Sequence, residues 1–259
     1  MHLSSSIHVF RTQEELSGAV ASRVAGLAGQ AARSRRRFAV ALSGGSLLDI
    51  LSPSLAASPL RSQIDWSVWE VFWADERCVP LTSPESNFAA ANRLLLEQVD
   101  IPRQQIHAVQ TGLGPGEAAK AYQETIKQAL QPAAGQLPRL DLVLLGLGQD
   151  GHTASLFPGH ELLQERQKWV APVFDAPKPP AERITLTLPL INQAREVIFV
   201  AAGQDKAAPL GEIFCAENQA PRRPAALVRP TEGNLHWFLD SAAADKLGPG
   251  LKCSDSKVR

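Results

Sequence analysis

The residues best suited to chemistry follow one apolar run near the middle of the chain. Leu142 to Leu145 are followed by Gly146 and Gly148, and then by Asp150 and His152. A short apolar run between glycines is typical of a strand buried on both faces, and ligands of open α/β sheets bind where such strands end. Asp150 and His152 are two residues apart, so an extended chain would place both side chains on the same side. A carboxylate beside an imidazole fixes its tautomer and suits a general base.

The same pair also has a purely structural interpretation. Asp150 would then close an Asx-turn, and His152 would be exposed to solvent without a chemical role. Because Asp-x-His pairs are common, the spacing alone does not choose between the two interpretations.

A second candidate is the loop of Gly44, Gly45 and Ser46. It lies between a predicted strand, Phe38 to Leu42, and a helical pattern that begins at Leu47. A strand, a small-residue loop and a helix gather backbone N–H groups that can hold a phosphate. Glycine turns are common, so the position of this loop before a helix is what favours the phosphate interpretation.

Four charged residues stand at the ends of other predicted elements. Asp75 and Arg77 follow a predicted strand over Val68 to Ala74, and Arg183 opens a later one. An acid beside an arginine could be a surface ion pair, which contributes little to stability. Lys206 lies where a helix is predicted to begin, and a cation there is unfavourable to the helix dipole. That conflict suggests a role with a ligand, although without further context an ordinary exposed lysine is the simpler interpretation.

Three motifs occur in order along the chain: LSGGS at 42–46, ADERCVP at 74–80 and GLGQDGHTASLFP at 146–158. Together they resemble the 6-phosphogluconolactonase family, which is related to glucosamine-6-phosphate deaminase. The resemblance extends over nearly the whole chain, and three ordered motifs are more specific than any one of them. It implies an α/β fold with a mainly parallel, Rossmann-like sheet and helices on both faces, as in glucosamine-6-phosphate deaminase.

The resemblance also implies a reaction and a set of site residues. The reaction is hydrolysis of 6-phospho-D-glucono-1,5-lactone, in which His152 takes a proton from water and Asp150 orients it. A lactone carbonyl is already electrophilic, so we expect no metal, no cofactor and no covalent nucleophile. The expected catalytic residues are His152, Asp150 and Asp75, and the expected substrate-binding residues are Gly44, Gly45, Ser46, Arg77, Arg183 and Lys206.

Two alternatives remain: an amino-sugar-phosphate isomerase or deaminase, and a sugar-phosphate sensor without turnover. In the related deaminases an acidic residue precedes the final proline of the central motif, where this chain has Phe157. Phenylalanine neither donates nor accepts a proton, which favours the lactonase. Many family members also carry Thr-Pro after the phosphate loop, and Leu47 and Leu48 stand there instead. A sensor would carry a basic DNA-binding module, and none is evident before residue 38.

Composition predicts a globular protein that binds a small phosphorylated sugar lactone rather than a macromolecule. Hydrophobic residues make up 44%, and 26 basic residues balance 26 acidic ones, which disfavours a nucleic-acid binder. No apolar window of about 18 residues predicts a membrane span. Cys78, Cys215 and Cys253 are widely separated, as in reduced cytoplasmic proteins. We therefore expect a cytoplasmic monomer with one domain over residues 1–259, room for a small subdomain after about residue 150, and a loosely held tail at 248–259.

The remaining pattern predicts strands and helices in alternation, and hence an α/β protein. Thr12 is predicted to cap a long amphipathic helix, with Glu15 completing a capping box. Other predicted elements are a helix from Pro84 to Val99, short strands at His107–Val109, Ala225–Val228 and Leu235–Phe238, and a closing helix from Ser241 to Leu247.

Overall fold

A computed structural model describes residues 5–215 and 223–248 of the chain. In these ranges the strands are β1 (Ser5–Phe10), β2 (Phe38–Leu42), β3 (Trp69–Trp73), β4 (Asp75–Arg77), β5 (Leu142–Leu145), β6 (Val170–Val173), β7 (Arg183–Leu186), β8 (Glu196–Ala201) and β9 (Asn234–Asp240). The α-helices are α1 (Gln13–Arg35), α2 (Ser46–Leu55), α3 (Leu60–Gln63), α4 (Asn87–Leu94), α5 (Pro115–Leu130), α6 (Leu188–Ile191) and α7 (Ala207–Cys215).

Six parallel strands form the main sheet, in the order β1-β9-β8-β5-β2-β3. Every residue of β2, β5 and β8 is buried, because helices or a second sheet cover both faces. The predicted α/β class with a mainly parallel sheet is therefore confirmed. At one edge β1 pairs with β9, and Ser5 lies opposite Leu235.

Alternate residues of the central strands pack into two different cores. Val40 and Leu42 pack with the apolar stripes of α1, α2 and α4 on one face. Ala39 and Ala41 face α5 and the β6–β7 hairpin on the other. Thr12 caps α1 as predicted, since its side chain accepts the N–H of residue 15 at 3.1 Å. No helix of the described ranges is long and apolar enough to cross a membrane.

A three-stranded antiparallel sheet, in the order β4-β7-β6, was not predicted. After β3 the chain passes through Ala74 and leaves the parallel sheet as β4, so that Asp75 lies opposite Thr185 of β7. This small sheet contributes a wall beside the carboxyl ends of the parallel strands. The expectation of one domain stays a prediction, and residues 249–259 of the expected tail lie outside the described residues.

The helix predicted from Pro84 to Val99 is shorter than expected. It begins at Asn87, because Ser86 rather than Ser83 accepts the N–H of Ala89, at 3.2 Å. It ends at Leu94, and a separate 3-10 turn follows. Both serines are suitable capping residues, so the sequence alone does not choose between them.

The predicted strand at His107–Val109 is also wrong. A single parallel bridge joins Val71 to Ile106, and no further ladder follows it. A short run of this kind gives too few residues for periodicity to decide its structure.

Two predictions near the C-terminus are wrong as well. The predicted strand Ala225–Val228 is instead a 3-10 helix, Pro224–Leu227, followed by Val228 as its C-cap; the helix begins with a proline, which suits a first helical position. Residues 241–246 form turns instead of the predicted Ser241–Leu247 helix. Asp240 accepts the N–H of Ala243 at 2.7 Å, and this local bond closes a turn.

Candidate active site

The predicted site residues meet at one cavity of about 330 Å³, at the carboxyl ends of the parallel strands. This is the edge at which ligands of open α/β sheets bind. Asp150 is the one predicted residue that does not line the cavity, because it lies behind His152. The predicted residues that line it are Gly44, Gly45, Ser46, Asp75, Arg77, His152, Arg183 and Lys206.

The loop after β2 can offer backbone N–H groups to an anion. Gly45 has a positive φ of 69° and precedes α2, whose first turn has no side-chain cap. The N–H groups there are therefore free of a capping side chain. Gly44 is required by close packing, since a Cβ at this position would lie 1.9 Å from Asn87 Oδ1. Leu47 and Leu48 point into the core and contribute nothing to the cavity.

Asp150 and His152 form both arrangements that the sequence left open. The His152 N–H donates to Asp150 Oδ1 at 3.2 Å, which is an Asx-turn, and His152 Nδ1 lies 2.5 Å from the same oxygen. The backbone is compact at this point, because Gly151 has a φ of 78°. The expected extended geometry is therefore wrong, while the expected pairing is present. With Nδ1 donating to the carboxylate, Nε2 is the basic nitrogen of the imidazole.

Backbone packing holds the imidazole in place. A Cβ at Gly148 would lie 2.0 Å from His152 Nδ1, so only glycine allows the ring to pack against this turn. Arg223 Nη1 donates to the Asp150 carbonyl at 3.1 Å from the other side. Partial burial raises the pKa of Asp150, but the hydrogen bonds and charge of His152 outweigh it and hold that pKa below its ordinary value. The carboxylate therefore stays ionised beside the ring.

Asp75, Arg77 and Arg183 form what we call the small-sheet wall. Asp75 is buried, and its Oδ2 accepts a hydrogen bond from Ser155 Oγ at 2.8 Å. The Asn87 amide donates to the Asp75 carbonyl at 2.8 Å. These partners come from the central motif and from α4, so the carboxylate is positioned by residues distant in sequence.

Glu76 joins the small-sheet wall to α4 from the opposite side of β4. Its Oε1 accepts the N–H groups of Arg77 (2.7 Å) and Asn87 (2.8 Å). Its Oε2 accepts the N–H of Phe88 (2.7 Å) and the hydroxyl of Ser86 (3.1 Å). Burial raises the pKa of Glu76 above its ordinary value of 4.5, although the backbone N–H groups oppose that rise. Glu76 thereby holds the helix start that carries Asn87.

Arg183 is 4% exposed and holds the loop that precedes it. Its Nε donates to the Pro180 carbonyl at 2.8 Å and its Nη2 to the Lys178 carbonyl at 2.6 Å. A longer contact of 3.4 Å joins Nη1 to Ser155 Oγ, and the guanidinium lies 5.5 Å from the centre of the Phe157 ring. Burial lowers the pKa of Arg183 from its ordinary value. Three of its five N–H groups are thus committed, and two remain for a ligand.

Lys206 lies at a helix start, as predicted. It ends a 3-10 turn, Gln204–Lys206, and α7 begins at the next residue. Its ammonium lies 2.7 Å from Asp205 Oδ2, which also accepts from Gln149 Nε2 at 3.1 Å. The hydrogen bond from Lys206 lowers the pKa of Asp205. The lysine therefore reaches the cavity with a partner already beside it.

The sequence analysis missed several lining or supporting residues, among them three with polar side chains. Asn87 and Lys178 line the cavity, and Ser155 supports Asp75. Lys178 stands in a proline-rich segment that reads as a surface loop, so no sequence signal marks it. Among the described residues, no group of three or more His, Cys, Asp or Glu side chains is arranged to hold a metal ion.

Comparison with known proteins places this chain in a family. A family model described as glucosamine-6-phosphate isomerases/6-phosphogluconolactonase matches residues 11–237. The 6-phosphogluconolactonase of Homo sapiens is 46% identical over 240 residues, which cover 92% of each chain. The structure of 6-phosphogluconolactonase from Trypanosoma cruzi aligns with a TM-score of 0.83 at 31% identity, over 95% of this chain and 98% of that one. The Trypanosoma brucei structure gives 0.81 at 30% identity, over 95% and 100%. The chain belongs to the glucosamine-6-phosphate isomerase and 6-phosphogluconolactonase family.

Proposed function

We propose that His152 is the general base in the reaction of this enzyme. That reaction is hydrolysis of 6-phospho-D-glucono-1,5-lactone to 6-phosphogluconate in the pentose phosphate pathway, the activity of the relatives and structural neighbours. The observation that carries the proposal is the pairing of His152 Nδ1 with Asp150, at 2.5 Å. It leaves Nε2 as the proton acceptor on a ring that lines the cavity.

In the proposed mechanism His152 first accepts a proton and later donates it back. His152 Nε2 takes it from a water whose oxygen attacks C1 of the lactone, giving a tetrahedral oxyanion. As the bond from C1 to the ring oxygen breaks, the imidazolium returns the proton to that oxygen, and the carboxylic acid product ionises. Asp150 stabilises the imidazolium between these two steps through its ionised carboxylate.

The small-sheet wall would hold the C1 end and the sugar hydroxyls. Arg77 donates to the Glu85 carbonyl at 2.6 Å through Nη1, and its Nε has no hydrogen-bond partner among the described residues. Donors of this kind can stabilise a developing oxyanion. Asp75 is a hydrogen-bond acceptor for a sugar hydroxyl and already accepts from Ser155.

The phosphate would lie between the loop after β2 and two cations. Gly44, Gly45 and Ser46 offer backbone N–H groups and one hydroxyl, and Arg183 has two N–H groups left over. Lys206 supplies a compact positive charge at the same cavity. We also propose that the enzyme acts as a monomer with a single domain.

The experiment that tests this function compares two lactones. Proton release is followed on freshly made 6-phosphogluconolactone and on unphosphorylated gluconolactone, with the wild type and the Lys206→Ala variant. We expect efficient turnover of the phosphorylated lactone. Lys206→Ala should raise its KM about ten-fold or more, because a charge-assisted bond contributes roughly 1.5–3 kcal/mol. Equal losses on both lactones would place Lys206 outside the phosphate site.

A further inference from the structure

A second polar cavity, of about 230 Å³, lies at the opposite end of the sheet from the active site. Its walls come from the end of α1 and from the starts of β2, β5, β8 and β9. Its charged lining residues are Arg35, Arg139 and Arg195, and Asp141, Glu196 and Glu232. Two more arginines lie beside the lining: Arg23, which pairs with Glu196, and Arg37.

Asp141 and Glu196 are the buried acids of this cavity, and Asp141 contacts two of its arginines. Asp141 Oδ2 accepts the Ala39 N–H at 2.9 Å. Its Oδ1 lies 2.8 Å from Arg35 Nη2 and 3.3 Å from Arg195 Nε. One carboxylate therefore serves two guanidinium groups, and Arg195 Nη1 and Nη2 make no hydrogen bond among the described residues.

The nearby acids do not balance the remaining arginines. Arg139 contacts Glu232, whose carboxylate lies 3.5 Å away and is exposed, and such pairs are weak. Arg37, beside this group, donates only to the uncharged carbonyls that end α5. Glu196 is already paired with Arg23 at 3.0 Å. With Glu196 neutralised by Arg23, the guanidinium groups of Arg35, Arg139 and Arg195 and of Arg37 beside the lining face the carboxylates of Asp141 and Glu232, which leaves two positive charges.

The arginines repel one another in the absence of a ligand. Burial lowers the pKa of Arg195, and the charges of Arg35 and Arg139 each lower it by more than Asp141 raises it. Like charges held together in a partly buried cleft are destabilising unless an anion joins them. Guanidinium groups match the oxygens of a phosphate in geometry as well as in charge.

We propose that the cavity between Arg35, Arg139 and Arg195 binds a small dianionic phosphate, either inorganic phosphate or a phosphate monoester. The two excess charges, counted with Arg23 and Arg37 beside the lining, match a dianion, and the free Nη groups of Arg195 supply donors. The site lies at the amino ends of the strands and does not depend on the proposed mechanism at their carboxyl ends.

Amide NMR on the ¹⁵N-labelled full chain separates the two phosphate sites by location. Ala39 reports on the new site, because its N–H is bonded to Asp141, and Gly45 reports on the catalytic cavity. Inorganic phosphate and glycerol 3-phosphate are titrated separately at constant ionic strength. We expect a saturable shift at Ala39, and the tighter of the two ligands identifies the source of the phosphate.

Two variants and a matched control complete the test. Arg195→Gln and Arg139→Gln should each weaken phosphate binding, followed at Ala39, about ten-fold or more, and should leave the titration at Gly45 unchanged. The second variant is included because Arg139 does not contact Asp141, so a loss of binding there does not come from disturbing that buried carboxylate. Arg61→Gln removes an arginine of similar exposure (45% against 40%), 4.0 Å from an acid, and should change neither titration. The proposal is overturned by a non-saturable shift at Ala39, or by one that the Arg139→Gln variant leaves intact.

Discussion

The two sides of the active site are built in different ways. On the catalytic loop, residues 146–157, Asp150 and His152 pair across two residues, and glycines at 148 and 151 shape the turn. On the small-sheet wall, Asp75 is held by a serine 80 residues away and by an asparagine 12 residues away. The first geometry is local, whereas the second exists only after the chain has folded.

Because of this difference, the catalytic loop and the small-sheet wall should respond differently to substitution. His152 Nε2 has no hydrogen-bond partner among the described residues, so removing the imidazole takes away a catalytic group and little structure. Arg183 donates hydrogen bonds to carbonyl groups of the preceding loop, and Glu76 accepts them from backbone N–H groups at the start of α4. Changing either residue therefore also leaves backbone groups without a hydrogen-bond partner. We therefore expect substitutions on the loop to lower turnover alone, and substitutions on or behind the wall to lower turnover and stability together.

The largest effect is expected for His152→Ala. Loss of the base should lower kcat by about 10² to 10⁴, while the melting temperature stays close to that of the wild type. Proton release and thermal unfolding measure the two quantities.

A matched change on the same loop is Asp150→Asn, which keeps the shape of the carboxyl group. It should lower kcat less than His152→Ala, because the base is still present but its charged form is less stabilised. Near-normal turnover by the His152→Ala variant would show that the catalytic loop does not supply the general base.

On the wall, Arg183→Lys should lower kcat/KM for the phosphorylated lactone about 10- to 100-fold. One ammonium cannot reach Pro180, Lys178 and the ligand together, so the loop should also become easier to cleave with protease. The melting temperature and limited proteolysis are measured beside activity. Lost activity with an unchanged melting temperature and protease pattern would contradict the proposed contrast with the catalytic loop.

Behind the wall, Glu76→Gln should destabilise the fold by about 1–3 kcal/mol in urea unfolding. A carboxamide offers one acceptor oxygen where the carboxylate offers two, so two of the four donors lose their partner. Because burial raises the pKa of Glu76, its contribution to stability is complete below 4.5 and declines as pH rises through the raised value. The variant cannot ionise, so the difference between the two proteins should narrow as pH rises.

The control for Glu76→Gln is Glu85→Gln, on the same segment but exposed. It should change the free energy of unfolding by less than about 0.5 kcal/mol. A gap between wild type and Glu76→Gln that widens with pH would mean that the sign of the Glu76 shift is wrong.

The smallest effect is expected at Phe157, whose ring centre lies 4.9 Å from that of His152. Neither the wild type nor Phe157→Glu should release ammonia from glucosamine 6-phosphate, because a single carboxylate without supporting contacts is poorly positioned. An enzymatic ammonia assay measures this. Ammonia release by the wild type at a rate comparable to lactone hydrolysis would favour the isomerase or deaminase.

The same contrast explains what could be predicted from the sequence. The central strand, the loop after β2 and the Asp150–His152 pair follow from short-range patterns, and all of them were found. The small sheet, the position of Asn87 and the ties of Arg183 to the 178–180 loop depend on contacts between distant segments. The start of α4 illustrates the limit, because two serines could cap it and buried Glu76 receives the N–H groups next to only one of them.

The pairing of β1 with β9 has a consequence for synthesis on the ribosome. In the part of the chain that the structure describes, β1 has one partner strand, and it lies about 230 residues later in the sequence, from Ser5 opposite Leu235 to Phe10 opposite Asp240. Contacts so distant in sequence carry a high cost of loop closure and form late. A chain that stopped before residue 234 would already contain every proposed catalytic residue. In such a chain β1 and β8 would still have unpaired edges that could pair with other chains. Addition of β9, which lies between them, therefore protects the nascent protein from aggregation.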